Sequence, residues 1–64
     1  MQSEERQKRI EEHLLRMEFA SLEELSELVD ASVSTVRRDL DVLEAKGTLR
    51  RTHGGARQFE HLAR

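Results

Sequence analysis

Apolar residues recur at helical spacing near the start of the chain. Ile10, Leu14 and Met17 are separated by four and three residues, which places them on one face of a helix. Ser3 precedes two acidic residues, and we expect it to cap this first helix. The pattern breaks at residues 18–20, where we expect the helix to fray.

Two further helical segments follow, separated by a short turn. Ser21 begins a capping box with Glu24. Asp30 is expected to form the turn in a left-handed conformation, and Ser32 is expected to cap helix three. Lys46 and then Gly47 end helix three, with a cation in the last turn and a left-handed C-cap. The predicted buried faces consist of Leu22, Leu25, Leu28 and Val29 in helix two and of Val33, Val36, Leu40 and Leu43 in helix three.

The periodicity changes after helix three. Residues 48–53 and 56–59 are typical of two short strands around Gly54-Gly55, which predicts a β-hairpin, called the wing below. The fold class is therefore mainly α with a small β-hairpin: a winged helix-turn-helix of three helices plus the wing. Leu15 and Val42 lie off the apolar faces of their helices. We expect partial exposure or packing against the wing or Phe59, with a dimer contact as the alternative.

The outer face of helix three is small, hydroxylated and basic. At 100° per residue, Arg38 points away from the buried face, with Ser34, Asp41 and Ala45 beside it. Arg37 and Asp39 are expected to flank this face on opposite sides. Such a surface suits the DNA major groove, where arginine pairs with guanine and short side chains allow close approach.

The first turn of helix three carries no acid. Helix two begins with Glu23 and Glu24, whereas helix three begins with Val33, Ser34 and Thr35. This difference leaves free N–H groups and hydroxyls that could bind a phosphate.

Basic residues recur in the wing. Arg37 and Arg38 alone are compatible with a solvated face on which each pairs with Asp41. A second cluster favours DNA instead, since the hairpin segment contains Arg50, Arg51, His53 and Arg57. Because alternate strand residues face opposite ways, we expect one of Arg50 and Arg51 to face DNA and the other to serve the fold.

Charge is unevenly distributed along the chain. Its 64 residues carry a net charge of −2, with nine acidic and four basic residues in positions 1–30 but seven basic and four acidic in positions 31–64. A chain of this length forms one thin-cored domain without room for an enclosed active site. The basic second half is therefore the expected face for a polyanion.

Several function classes are excluded. Adjacent carboxylates on helix surfaces do not form a catalytic pair, so we expect no enzyme. His13, His53 and His61 lack the spacing of metal ligands, and we expect no metal or other cofactor. The absence of cysteine indicates a reducing compartment, and with a polar N-terminus and no apolar run of membrane length it predicts a cytoplasmic protein that does not bind membranes.

Two motifs at a defined separation resemble one known family. Thr35-Val36-Arg37-Arg38-Asp39-Leu40 and Arg51-Thr52-His53-Gly54-Gly55-Ala56 are similar to the DNA-binding domain of DeoR-family bacterial repressors, and the resemblance extends from Arg6 to Arg57. It implies operator reading by helix three with support from the wing. The DNA-contacting residues that it implies are Ser32, Ser34, Thr35, Arg37, Arg38, Arg51, His53 and Gly54, and the wing cluster adds Arg57.

The resemblance also implies a larger parent protein. Residues 1–59 would form the DNA-binding domain, and residues 60–64 a tail or the start of a linker to an effector domain. In the family that domain binds a sugar phosphate or related metabolite and mediates homo-oligomerisation, and the repressor acts on operators in the bacterial nucleoid. A winged-helix module that binds protein without DNA is the alternative, and it predicts an apolar or acidic outer face on helix three. The operator, effector and regulated genes are not specified by these residues.

Overall fold

The computed structural model describes residues 2–58. Three helices and the wing are all present, which confirms the predicted winged helix-turn-helix. Phe59 and the tail at 60–64, with the domain boundary placed between them, lie outside the described residues. The elements are α1 (Ser3–Arg16), β1 (Phe19–Ser21), α2 (Leu22–Val29), α3 (Val33–Lys46), β2 (Leu49–Thr52) and β3 (Gly55–Gln58).

Local hydrogen bonds define the ends of α2 and α3. The Ser21 hydroxyl accepts from the Glu24 N–H at 3.0 Å, and Ser32 caps α3 in the same way. The capping box is only half formed, because the Glu24 carboxylate lies 2.7 Å from Nε2 of His13 on α1. Asp30 adopts a left-handed conformation with φ 53°, and Gly47 does so at the end of α3, as predicted.

The predicted boundaries of α1 are wrong at both ends. Gln2, rather than Ser3, occupies the N-cap position and makes no side-chain cap bond, because Ser3 already has helical backbone geometry. At the other end Met17 is extended, with φ −115° and ψ 128°. This backbone change removes Met17 from the helical face, and 47% of the residue is exposed rather than buried.

Removing the Ser21 hydroxyl should therefore cost more stability than removing that of Ser3. We expect Ser21→Ala to lower the free energy of unfolding by about 1 kcal/mol, the usual effect of losing an N-cap acceptor. Ser3→Ala is the matched control and should change it by less than about 0.5 kcal/mol. Urea denaturation followed by circular dichroism measures both. Equal losses would contradict the assignment of the caps.

A third strand adds to the predicted hairpin. Instead of fraying, the chain after α1 forms β1, and the antiparallel sheet has the order β1-β3-β2. Gly55 belongs to β3 rather than to the turn. A Cβ on Gly55 would lie only 2.2 Å from the carbonyl oxygen of Ala20. Only glycine permits this close approach of β3 to β1. The two turn residues are His53 and Gly54, and Gly54 has φ +85°.

The core combines the predicted helical faces with the sheet. Its buried apolar residues are Ile10, Leu14, Ala20, Leu22, Leu25, Val29, Val36, Leu40, Leu43, Leu49 and Ala56. Leu28 and Val33 pack against this cluster but are only partly buried. Leu15 and Val42 are 69% and 42% exposed, which agrees with the expected exposure. Within residues 2–58, none of the helices has the length and apolarity needed to cross a membrane.

Candidate nucleic-acid interface

A groove lies between α3 and the tip of the wing, beside the start of α2. The Leu22 N–H donates to the Gly54 carbonyl at 3.0 Å, so the hairpin turn sits against the first residue of α2. This contact brings the turn to the same surface as the middle of α3. The groove, called the helix–wing groove below, is lined by Leu22, Arg37, Asp41, Arg51, Thr52, His53 and Gly54.

The solvent-exposed face of α3 carries residues predicted to contact DNA. Ser34, Arg37 and Arg38 are all exposed. Neither arginine makes an ion pair or side-chain hydrogen bond with another residue of the described segment 2–58. Asp41 instead pairs with Arg51 of β2, so the alternative in which Asp41 neutralises Arg37 and Arg38 is wrong. Both guanidinium groups are available to an external anion.

Asp39 does not flank the outer face as predicted. It is 3% exposed, and its carboxylate accepts from Arg6 Nε at 2.7 Å and from Arg6 Nη2 at 3.2 Å. Gln7 Nε2 donates to the same carboxylate at 3.3 Å. These contacts hold α1 against α3. The hydrogen bond from Arg6 to Asp39 raises the pKa of Arg6 above its ordinary value.

The helical spacing contains a signal for this contact. At 100° per residue, Asp39 lies about 60° from Val36, within the width of an apolar helix face. A carboxylate at such a position requires a charged or hydrogen-bonding partner. Its identity depends on how α1 crosses α3, since Arg6 is 33 residues away along the chain.

Hydrogen-bond donors at the start of α3 are available to an external anion. The Ser32 hydroxyl accepts from the Thr35 N–H at 3.2 Å and lies 3.1 Å from the Thr35 hydroxyl, to which it donates. Within residues 2–58, the N–H groups of Val33 and Ser34 have no acceptor. Thr35 is half-buried, whereas Ser32 and Ser34 are exposed. An anion at this helix end would meet two free backbone donors.

The two adjacent wing arginines have different environments. Arg51 is half-buried and faces α3, where its guanidinium pairs with Asp41 and its backbone N–H donates to the Glu44 carboxylate at 3.3 Å. Through these two contacts Arg51 connects the wing to α3, and its contact with DNA stays a prediction. Arg50 is exposed and lies opposite Arg57 in the strand register, so these two share the other face of the sheet.

The predicted site residues therefore fall into three groups. Arg37, Arg51, His53 and Gly54 meet in the helix–wing groove. Ser32, Ser34 and Thr35 lie at the start of α3, and Arg38 follows on its exposed face. Arg57 is separate, on the outward face of the sheet with Arg50, a residue that the sequence left undecided. The described part of the chain contains no cluster of three His, Cys, Asp or Glu residues that could hold a metal.

Comparison with known proteins identifies similar sequences over most of the chain. A protein-family model described as a DeoR-like helix-turn-helix domain matches residues 6–61. The chain is 39% identical over 62 residues to the uncharacterized HTH-type transcriptional regulator FruR of Bacillus subtilis, covering 97% of this chain and 25% of that protein. It is 46% identical over 54 residues to the transcriptional repressor AccR of Agrobacterium fabrum, covering 84% of this chain and 21% of that protein.

A shorter stretch is more similar to a third relative. It is 60% identical over 37 residues to the L-fucose operon activator of Haemophilus influenzae, covering 58% of this chain and 15% of that protein. The chain thus spans a quarter or less of each of these three relatives. No solved structure matches it significantly.

Proposed function

Because the chain belongs to the DeoR-like helix-turn-helix family, we propose that it binds double-stranded DNA sequence-specifically, as the operator-reading domain of a transcriptional repressor. The relatives are named as transcriptional regulators, and the chain falls in that class rather than among enzymes. The observation that carries the proposal is the shared groove: Arg37 of α3 and the His53-Gly54 turn of the wing line one surface. A duplex that reaches one of them can reach the other.

Base reading is assigned to α3. Arg38 is exposed, and its guanidinium has no competing partner among the described residues, so it can donate two hydrogen bonds to guanine O6 and N7 in the major groove. Ser34, on the same face, is small enough to allow the helix to approach the base edges. Arg37 lines the helix–wing groove and would contact the backbone or a neighbouring base.

Backbone contacts are assigned to the residues around this helix. The start of α3, with Ser32, Ser34 and Thr35, would bind one phosphate through its free N–H groups and hydroxyls. The wing residues Arg51, His53 and Gly54 would follow the adjacent backbone or minor groove. Arg57, on the outward sheet face, would contribute a more distant electrostatic contact.

The parent protein is proposed to be larger than the described domain. Relatives about four times as long support a longer parent. From the family resemblance we infer that this parent is a homo-oligomer with an effector domain for a sugar phosphate or related metabolite. A single domain would then bind weakly, and two copies on half-sites spaced by whole helical turns would bind tightly. Such a repressor would work in the bacterial cytoplasm, on DNA of the nucleoid.

Titration with random duplex DNA at a series of salt concentrations tests the proposal. If the domain contacts about five phosphates, log affinity should fall with log salt at a slope of about −4 to −5. Fluorescence anisotropy of a labelled duplex measures this slope. An absence of binding in dilute buffer, or a slope near zero, would overturn DNA binding and favour a protein-binding module.

A further inference from the structure

We propose that Asp41 acts as an internal substitute for a DNA phosphate at Arg51 and thereby weakens binding to duplexes of any sequence. The inference rests on the proposed DNA binding and adds a residue that opposes it. Asp41 lies on α3 and pairs across the helix–wing groove with Arg51 of β2, ten residues further along the chain. Among the described residues that line this groove, Asp41 is the one acidic residue.

The surroundings of Asp41 are those of an anion site. Arg37, Arg51 and His53 line the same groove, so three basic side chains border a single carboxylate. Arg37 has no partner of its own among residues 2–58. A groove with this excess of donors can accept a second anion, and the duplex backbone supplies phosphates at regular spacing.

Two buried polar atoms of the wing belong to residues that line the groove. Arg51 Nε and Thr52 Oγ1 are both buried without a hydrogen bond in the described part of the chain. Buried polar atoms are normally satisfied, so such a pair at a groove indicates a place where a ligand completes the contacts. The contact between Asp41 and Arg51 engages Nη1 alone, whereas a phosphate has several acceptor oxygens and can bind a guanidinium at two positions.

The contact is suited to exchange. The Asp41 side chain is 62% exposed. An ion pair with this much access to water is weak. The wing does not depend on it alone, because the backbone N–H of Arg51 is separately bound by Glu44 and β2 is paired along its length with β3. The Arg51 side chain can therefore turn to a phosphate while its strand stays in place.

Two effects of Asp41 on binding follow. Arg51 must leave its carboxylate before it contacts the duplex, and the freed carboxylate then repels phosphates that pass the groove. Both effects are independent of base sequence, so they lower affinity for non-specific DNA and leave base-specific contacts to compensate at an operator.

Asp41→Asn tests the inference on random duplex DNA across a salt series. We expect about three- to tenfold tighter binding at low salt, with the slope of log affinity against log salt steeper by about one, because Arg51 gains a phosphate contact. Glu12→Gln is the matched control. Glu12 is an exposed carboxylate on α1 with no ion pair or side-chain hydrogen bond within residues 2–58. It should change affinity by less than about twofold and leave the slope unaltered.

A double variant separates a specific effect from a general change in charge. Measured against Arg51→Gln alone, adding Asp41→Asn should give a much smaller gain. No guanidinium is then left to be released, and only the repulsion by the Asp41 carboxylate is removed. If Asn destabilises the helix, Asp41→Ala makes the same test with the best helix-forming residue. The inference is overturned if Asp41→Asn equals the Glu12 control, shows the same full gain in the Arg51→Gln background, or binds more weakly than wild type. Failure of the wild-type domain to bind DNA would instead overturn the proposed function.

Discussion

Replacing Arg38 with alanine should reduce affinity for the cognate operator by about 1–3 kcal/mol and flatten the preference at a single base pair. The expectation follows from the exposed position of Arg38 on α3 and from the absence of any partner for it among the described residues. A bidentate arginine–guanine contact is lost at one base pair, while the neighbouring contacts stay in place. The loss should therefore be large on the operator and small on random DNA.

Selection of genomic fragments with the isolated domain, followed by footprinting, provides the operator for this measurement. Affinities are then compared for the operator and for its single-base variants. Arg9→Ala, which removes an exposed arginine from α1, is the control for the loss of one positive charge. It should leave the base preference intact. Uniform weakening of Arg38→Ala across all sequences would mean that Arg38 contacts phosphate only.

The second large effect is expected at Asp39. Asp39→Ala should lower the free energy of unfolding by about 3 kcal/mol, the lower end for breaking a buried ion pair. The lower end applies because the partner, Arg6, keeps some access to water, with 17% of its side chain exposed. For a domain of this size the melting temperature should fall by roughly 12–24 °C. Thermal and urea denaturation followed by circular dichroism measure the change.

A double variant distinguishes pairing from packing. Arg6→Met with Asp39→Leu removes both charges and retains apolar volume, and it should recover much of the stability lost in Asp39→Ala. If Asp39→Ala changes stability by less than about 0.5 kcal/mol, the contact between α1 and α3 contributes little to the fold. In folded variants, a loss of operator preference would show that Asp39 also positions the neighbouring Arg38.

Features encoded by neighbouring residues could be predicted from the sequence. The Ser32 cap, the left-handed Asp30 and the buried face of α3 each depend on residue types within one or two helical turns. The same holds for the two wing strands, because the glycine turn joins residues adjacent in the chain. For the candidate site, helical spacing sufficed to place Arg37 and Arg38 on the exposed face of α3.

Features that depend on distant segments could not be predicted. Strand β1 has three residues, too few for an alternating pattern, and it exists because β3 offers an edge for pairing. Helical spacing places Asp39 at the edge of the buried face, but it does not identify Arg6 of α1 as the partner. In the same way, it does not show that Asp41 pairs with Arg51 of the wing rather than with Arg37 or Arg38 of its own helix. Helical spacing fixes the direction of a side chain but not which segment will cover it.

The bond from the Leu22 N–H to the Gly54 carbonyl has a consequence for the thermodynamics of complex formation. It joins the turn of the wing to α2, the first helix of the helix-turn-helix pair. Strand β1 in addition pairs with the edge of β3 that β2 does not occupy. The helix-turn-helix pair and the wing are thus already held together, so binding a duplex requires little loss of conformational entropy from the protein backbone. Adjustment on association is then left to the arginine side chains and to the bending of the nucleic acid.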